Sequence, residues 1–170
     1  MKQSFTVLCC CLPFLVFAQA STFQSDLIGM LAFNQQTILS LAEAFPEDKY
    51  DWRPDEEVRS VREAFLHMAS TNYFVLSQLG FELPAGVDID TVEETTGKAA
   101  VMAAVRQSFD FARAKAAAVA PEELGATVEF PFGEMNKRMA LMLLLEHSGE
   151  HKGQLIAYAR MNNITPPWSE

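Results

Sequence analysis

The amino-acid sequence predicts an all-α fold, most simply a four-helix bundle. Four long stretches repeat apolar residues at three- and four-residue spacing, which is typical of amphipathic helices. No segment shows convincing strand pairing. With 170 residues, of which 49% are hydrophobic and 21% charged, the chain is large enough for one core and short for two domains. We therefore expect a single bundle domain.

A separate segment precedes the first of these stretches. Residues 1–3 include a lysine, residues 5–17 are mainly apolar, and Ala18-Gln19-Ala20 has the A-x-A pattern of a cleavage site. This combination predicts a signal peptide over residues 1–20 and an exported domain, periplasmic or secreted, over residues 21–170. A membrane anchor is the alternative, but the apolar stretch is shorter than the roughly 20 residues that a spanning helix needs.

Composition excludes several classes of function for the exported domain. All three cysteines, Cys9 to Cys11, lie in the predicted signal peptide. Cleavage leaves no thiol for a disulfide framework, a nucleophile or a metal ligand. The formal net charge of −9 disfavours nucleic acid as a partner, because neutralising phosphates needs a basic surface. We also expect no membrane association after cleavage.

The first predicted helix covers residues 26–45. Asn34 is the one polar residue among its inward positions, and Pro46 ends the helix because proline cannot continue the hydrogen-bond ladder. The apolar inward positions are Leu27, Leu31, Ile38, Leu41 and Phe45.

The second predicted helix follows Ser60 and continues to about residue 79. Ser60 with Glu63 three residues later has the pattern of a capping box. His67 lies near the middle of the predicted inner stripe. The other members of that stripe are Ala64, Thr71, Phe74 and Gln78, with Phe65, Met68 and Val75 on its flanks.

The third predicted helix is continuous over residues 91–119, and Pro121 lies just beyond its end. Residues 127–134 alternate weakly between apolar and polar. Pro131 and Gly133 argue against a stable strand there.

The fourth predicted helix covers residues 136–162. Residues 139–145 are apolar almost all round, which predicts burial on more than one side, either by the domain core or by a second subunit. Gly149 and Gly153 reduce helix propensity, which suggests close packing against another helix at these positions.

The fourth helix also carries a candidate metal site. His147 and His151 are four residues apart, so both imidazoles can reach one ion, and Gln154 and Tyr158 share their stripe. The third ligand must come from elsewhere, and the remaining histidine is His67 on the second helix. The alternative is three hydrogen-bonded core histidines. Burying three unpartnered imidazoles costs on the order of several kcal/mol, whereas a metal satisfies one nitrogen of each.

The segment from His147 to His151 differs from the metalloprotease motif H-E-x-x-H. Glu150 precedes the second histidine instead of following the first, and it lies about 300° round the helix from His147. Glu150 and Glu146 are therefore interpreted as surface or supporting groups, not as a general base.

Two motifs resemble the DinB/YfiT-like family. The first covers residues 147–160, HSGEHKGQLIAYAR, followed after Met161 by NNITPP at residues 162–167. The second covers residues 50–54, YDWRP, then RSVRE at residues 59–63 and His67. The resemblance extends over essentially the whole of residues 21–170.

The resemblance implies an up-down-down-up four-helix bundle, often dimeric, with a divalent metal held by His67, His147 and His151. Relatives include transferases and isomerases that use low-molecular-weight thiols, and the fold is compared with metal-dependent hydrolases. Lys152 stands where the family often has arginine. The predicted signal peptide puts chemistry with a cytosolic thiol cofactor in doubt.

These observations favour a divalent-metal-dependent hydrolase or transferase that acts on a small molecule at an open coordination position. The alternative is a non-catalytic exported bundle that binds a metal or a small ligand. Zinc or nickel suits an imidazole set best, with manganese and iron left open. Asn34 and Gln154 are candidates for orienting water or substrate, and Tyr158 for donating a hydrogen bond. The equal alternative for these three is polar satisfaction in the core, and we expect a homodimer.

Overall fold

The computed structural model describes residues 22–169, so the predicted signal peptide lies outside the described residues. Within that range the protein is a four-helix bundle with one short helix and one hairpin, which confirms the all-α bundle prediction. The helices are α1 (Phe23–Ala44), α2 (Val61–Gln78), α3 (Ile89–Val92), α4 (Lys98–Ala118) and α5 (Lys137–Met161). The strands are β1 (Thr127–Phe130) and β2 (Gly133–Asn136).

The long helices are arranged so that α1 and α2 each pack chiefly on α4 and α5. α1 and α2 therefore occupy opposite corners of the bundle. α1 and α5 are parallel: Arg138 at the start of α5 lies over the ring of Phe23, and Asn34 further along α1 donates to Ser148 further along α5.

The other two helices run in the opposite direction. Gln24 at the start of α1 donates a hydrogen bond to the carbonyl of Val119, which follows the end of α4. α2 returns from the end of α1 through a loop in which the Tyr50 hydroxyl donates to the Ala42 carbonyl. The order is thus up-down-down-up, as the family resemblance implied.

The core lies between the four long helices. Every predicted inward position of α1 is buried, including the polar Asn34. Near the end of α1, the ring of Phe45 meets that of Phe65 on α2 edge to face, at 6.2 Å between centroids. Burying an apolar side chain of this size contributes about 1.5–3 kcal/mol to the free energy of folding. This contact therefore helps to hold the first turns of α2 against the end of α1.

α2 begins as predicted but is rotated relative to the predicted stripe. Ser60 Oγ accepts from the Glu63 N–H, and a Glu63 carboxylate oxygen accepts from the Ser60 N–H, which completes the capping box. The predicted flank, including Phe65, forms the core face, while His67 and Thr71 are only half-buried. The histidine stripe therefore lies at the edge of the core, beside α5.

The prediction of one continuous third helix is wrong. The chain forms the single turn α3, leaves the helical conformation, and starts again at α4 after Gly97. Gly97 has φ 83°, a conformation that glycine adopts at far lower cost than other residues. After the break, the Lys98 ammonium donates to the carbonyls of Glu43 and Phe45 at the end of α1.

The prediction that residues 127–134 form no stable strand is also wrong. β1 and β2 form an antiparallel hairpin in which Phe130 pairs with Gly133. Pro131 lies in the two-residue loop, where it removes no hydrogen bond from the ladder, and Gly133 adopts φ 138°. The side chain of Phe130 is buried beneath the hairpin.

α5 matches the predicted range, but its first half is not buried on several sides within this chain. Leu141 and Leu144 face the core, whereas Met139 and Met142 are 54% and 53% exposed. The close packing expected at the two glycines of α5 is wrong as well, since a Cβ at either would meet nothing within 4 Å. Among residues 22–169, none of the helices is long and apolar enough to cross a membrane.

Candidate metal centre

The three histidines meet where α2 packs on α5. The ring centroids of His147 and His151 are 4.5 Å apart, and His67 lies 5.0 Å from the first and 4.9 Å from the second. One candidate ligand atom from each residue lies within 4.8 Å of the other two. The structure therefore brings together the three residues that the sequence proposed as metal ligands.

Helix geometry accounts for this meeting. His147 and His151 are one turn apart on α5, so their side chains leave the same face. α2 is antiparallel to α5, which places His67 beside that pair and Thr71, the next turn, beside His147.

A carboxylate fixes the tautomer of His67. Its Nδ1 lies 2.7 Å from Oε1 of Glu93, in the turn that follows α3. An ionised carboxylate only accepts hydrogen bonds, so the imidazole proton is on Nδ1 and the lone pair is on Nε2. This carboxylate–histidine pair is the usual support of a metal-binding imidazole. The sequence did not predict this role for Glu93, because residues 91–119 have the pattern of one continuous helix.

A chain of hydrogen bonds fixes the tautomer of His151. Its Nδ1 lies 2.8 Å from Gln154 Oε1, the Gln154 amide nitrogen donates to the Tyr158 hydroxyl at 2.7 Å, and that hydroxyl donates to the Arg59 carbonyl at 3.1 Å. A carbonyl can only accept, which sets the direction of the whole chain. The Gln154 oxygen must then face a protonated Nδ1, and Nε2 of His151 keeps its lone pair.

Two of the three histidines have lowered pKa values. Burial is the main cause that lowers the pKa of His147 from its usual 6.5 to about 4, and the neighbouring His151, His67 and Arg59 also contribute. Burial also lowers the pKa of His67, against the opposing effect of its bond to Glu93. Neutral imidazole is the form that binds metal ions, so proton competition at neutral pH is weak.

This donor set fits a divalent ion. An ion that bonds imidazole nitrogen at about 2.0–2.1 Å holds two such nitrogens about 3.3 Å apart, so the observed spacing needs only small side-chain rotations. Among residues 22–169, no fourth histidine, cysteine or carboxylate belongs to the group. Three neutral ligands leave the charge of the ion uncompensated. A cavity of about 380 Å³ opens beside His67 and His147.

The structure places the three residues proposed to orient water or substrate, Asn34, Gln154 and Tyr158, in two different parts of the molecule. Gln154 and Tyr158 belong to the hydrogen-bond chain behind His151 and act through that residue. Asn34 lies on the α1 side of α5, where it donates to Ser148 at 2.9 Å and accepts from Lys152. These bonds satisfy a buried amide in the core, and they do not connect Asn34 to the histidines.

Fold and site together define an α-helical bundle with a three-histidine candidate metal centre. The DinB superfamily family profile matches residues 30–155, which is most of the chain, and the protein belongs to that superfamily. A comparison with curated proteins finds no match.

Two solved structures have the same fold. A DinB-like protein from Bacillus subtilis, YjoA, is 20% identical with a TM-score of 0.66, and the match covers 85% of this chain and 97% of that one. A DinB-like protein from Bacillus cereus is 16% identical with a TM-score of 0.61, covering 86% of this chain and 98% of the other. At these identities the likeness concerns the fold alone.

Proposed function

We propose that the protein is a divalent-metal-dependent enzyme, a hydrolase or a transferase, that acts on a small molecule. The observation that carries the proposal is a three-imidazole centre lying directly against an open cavity. Structural zinc sites are closed by four protein ligands, whereas catalytic sites use three and keep a position for water or substrate.

Each residue of the site has a distinct task in this proposal. His67, His147 and His151 hold the ion, and Glu93 and Gln154 keep the Nε2 lone pairs of two of them available. The ion supplies Lewis acidity towards an oxygen atom of the substrate. The half-buried position of the site limits the access of bulk water, which strengthens electrostatic interactions there. Zinc or nickel suits three imidazoles best, and manganese and iron remain within the proposal.

The test is a substrate screen with the metal-loaded protein. Esters, amides, phosphate esters and thiol-transfer substrates are compared for wild type, His147→Ala and Glu150→Ala, each loaded with zinc or nickel and then desalted. We expect turnover by wild type, a loss of at least about 100-fold in His147→Ala, and little change in Glu150→Ala, because Glu150 is exposed beside the site.

The competing function is a non-catalytic exported bundle that holds a metal or a small ligand. A metal-replete protein that is inert towards every class of substrate, and whose melting temperature falls sharply on chelation, overturns the enzyme proposal in favour of this one.

We further propose that the protein is a homodimer that packs through the outer stripe of α5. Met139, Met142, Gly149 and Gly153 share that stripe, with two exposed methionines and two glycines that leave open space for a neighbouring helix. The methionines line a largely apolar groove of about 410 Å³, and Glu146 is the one charged residue in its lining. Flexible methionine side chains suit a surface that repacks against a second copy.

Export is a further proposal. The pattern of residues 1–20 supports a cleaved signal peptide, with a mature protein that starts near Ser21. Its test is the intact mass of the protein recovered from outside the cytoplasm of its own host, and a chain that retains Met1 would contradict it.

A further inference from the structure

The cavity beside the histidines combines a polar end and an apolar body. Imidazoles of His67 and His147 form part of its wall, and the Thr71 hydroxyl lies 3.5 Å from Nε2 of His147. A molecule that fills this cavity therefore has one end against the candidate metal centre.

The body of the cavity is built from separate elements. Phe74 comes from α2, Ile89 from α3, Phe132 from the hairpin loop and Leu143 from α5. Two of the lining residues are aromatic, and both contact the buried ring of Phe130: the ring centroid of Phe74 lies 6.1 Å from it and that of Phe132 lies 5.3 Å from it. This wall suits a flat apolar group.

The side chains that line the body of the cavity disfavour a charged group on the ligand. Apart from the two proposed metal ligands, His67 and His147, the cavity is lined by no ionisable side chain among the residues described. A charged substituent on the part of the ligand that lies away from the metal centre would lose its hydration among apolar side chains and gain no counter-charge from them, which is costly.

A second cavity near the histidines is no better suited to an anion. It has a volume of about 450 Å³ and is lined by five glutamates, including the Glu93 that bonds His67, and by two arginines. One of the arginines, Arg53, is already paired with Glu63 at 2.8 Å. The excess of carboxylates repels anions at this approach to the site.

The volume of the cavity limits the size of the molecule that can bind in it. An apolar cavity of about 150 Å³ holds a benzene molecule, so about 380 Å³ accommodates one aromatic ring with a short chain. Phe132, 64% exposed at the loop of the hairpin, stands at the mouth, where a bound ring would cover it.

We propose that this cavity selects an uncharged, aromatic or branched aliphatic small molecule that presents a single oxygen-bearing head group to the metal centre. The inference rests on the proposed function and names the substrate class of that same site. Phe132 is the specificity-determining residue at the mouth, and Ile89 is the wall residue that keeps charged groups out.

The test measures binding, with hydroxamates as probes that share one metal-binding head. Besides the hydroxamate, acetohydroxamate carries only a methyl group, benzohydroxamate carries a neutral ring, and 4-carboxybenzohydroxamate carries a ring with a charged carboxylate. Dissociation constants are measured by calorimetry on metal-loaded, desalted wild type, Phe132→Ala and Ile89→Lys. Phe33→Ala is the matched control, since Phe33 is an exposed phenylalanine on α1 away from the cavity.

We expect wild type to bind benzohydroxamate at least about ten-fold more tightly than acetohydroxamate, and the carboxylated ring at least about ten-fold more weakly than benzohydroxamate. Phe132→Ala lowers the benzohydroxamate preference several-fold and leaves acetohydroxamate unchanged. Ile89→Lys raises affinity for the carboxylated ring, and Phe33→Ala behaves as wild type.

The outcomes separate the two levels of the proposal. Acetohydroxamate binding without a preference for the neutral ring, or equal binding of both rings, overturns the substrate class while the metal centre stands. Failure of all three hydroxamates to bind overturns the open metal centre, and the substrate class falls with it.

Discussion

The Nδ1 atoms of His67 and His151 determine which ring nitrogens are free to bind a metal. Each Nδ1 donates to an oxygen that is itself held in place, Glu93 by its position after α3 and Gln154 by the chain through Tyr158 to a backbone carbonyl. The two imidazoles therefore present Nε2 lone pairs to the centre before any ion arrives. This preorganisation reduces the reorientation that metal binding requires.

Replacing Glu93 tests the arrangement. Glu93→Leu removes the acceptor for the His67 Nδ1 proton, and we expect metal affinity to fall by about 10–100-fold with little change in far-ultraviolet circular dichroism. Glu93→Gln keeps an amide oxygen as acceptor and should recover much of that affinity. Competitive titration against a chromophoric chelator measures both.

Glu94→Leu is the matched control for Glu93→Leu, since Glu94 is the next residue and makes no bond to the histidines among residues 22–169. Equal metal affinity in Glu93→Leu and wild type would show that the carboxylate does not support His67.

The sequence was sufficient to group the three candidate ligands and to place Gln154 and Tyr158 beside two of them, but it did not show the carboxylate of Glu93 behind His67. His147, His151, Gln154 and Tyr158 lie on one helix, where a repeat of 3.6 residues per turn fixes their relative directions. Glu93 reaches His67 only because the chain turns between α3 and α4. That contact depends on tertiary structure, which residue spacing does not contain.

At the scale of elements, the start of α2 determines how the histidine stripe faces α5. The capping box between Ser60 and Glu63 closes this end of the helix, and Arg53 binds the Glu63 carboxylate at 2.8 Å. The hydrogen bond from the Ser60 N–H is the main cause that holds the pKa of Glu63 below its usual 4.5, and Arg53 adds to it against a smaller opposing effect of burial.

Glu63→Ala should lower the free energy of unfolding at pH 7 by about 1 kcal/mol, because one helix N–H loses its acceptor. The folded pKa lies below the unfolded one, so this stabilisation is present above about pH 4.5 and is lost as the pH falls through the folded value. Urea unfolding at pH 7 and in acid measures the difference from wild type. A difference that persists below the folded pKa would contradict the ionic capping role, and Glu57→Ala is an exposed control.

Two glycine substitutions should change stability in opposite directions. Gly97→Ala forces a side chain into φ 83° at the break before α4, and we expect a loss of about 1 kcal/mol. Gly29→Ala lies inside α1, where an added Cβ meets nothing within 4 Å, and should add about 0.5–1 kcal/mol. Thermal unfolding of both variants measures these effects, and stabilisation by Gly97→Ala would show that the break is not required.

The elements differ in how far the sequence predicts them. Helices α1, α2 and α5 are long, periodic and capped, and their predicted ends agree with the structure within a few residues. The break before α4 was missed because it depends on the positive φ of Gly97. The hairpin was missed because it depends on the positive φ of Gly133 and on Pro131 lying in the loop instead of a strand. The rotation of α2 was missed because its apolar residues are spread over more than half of its surface.

At the scale of the whole molecule, the core side of α5 is buried by the bundle and its outer stripe is not. The sequence predicted burial on more than one side, by the domain core or by a second subunit, and the bundle buries only the core side. The proposed dimer therefore accounts for the apolar residues of α5 that the fold leaves exposed.

Met142→Glu tests the dimer. A second carboxylate one turn from Glu146 would be desolvated in the interface and repelled by Glu146, so we expect wild type to have the mass of a dimer and the variant that of a monomer. Met161→Glu changes an equally exposed methionine near the end of α5 and serves as the control. Light scattering over a range of protein concentrations measures these masses, and a wild-type protein that stays monomeric at every concentration would contradict the proposed dimer.

We propose that His67, His147 and His151 bind one divalent ion, and the metal content of the protein purified without chelator tests this directly. Elemental analysis with native mass spectrometry should find about one divalent ion per chain in wild type and a stoichiometric loss in His151→Ala. Unchanged metal content in His151→Ala, with the protein folded, would contradict the assignment of the site.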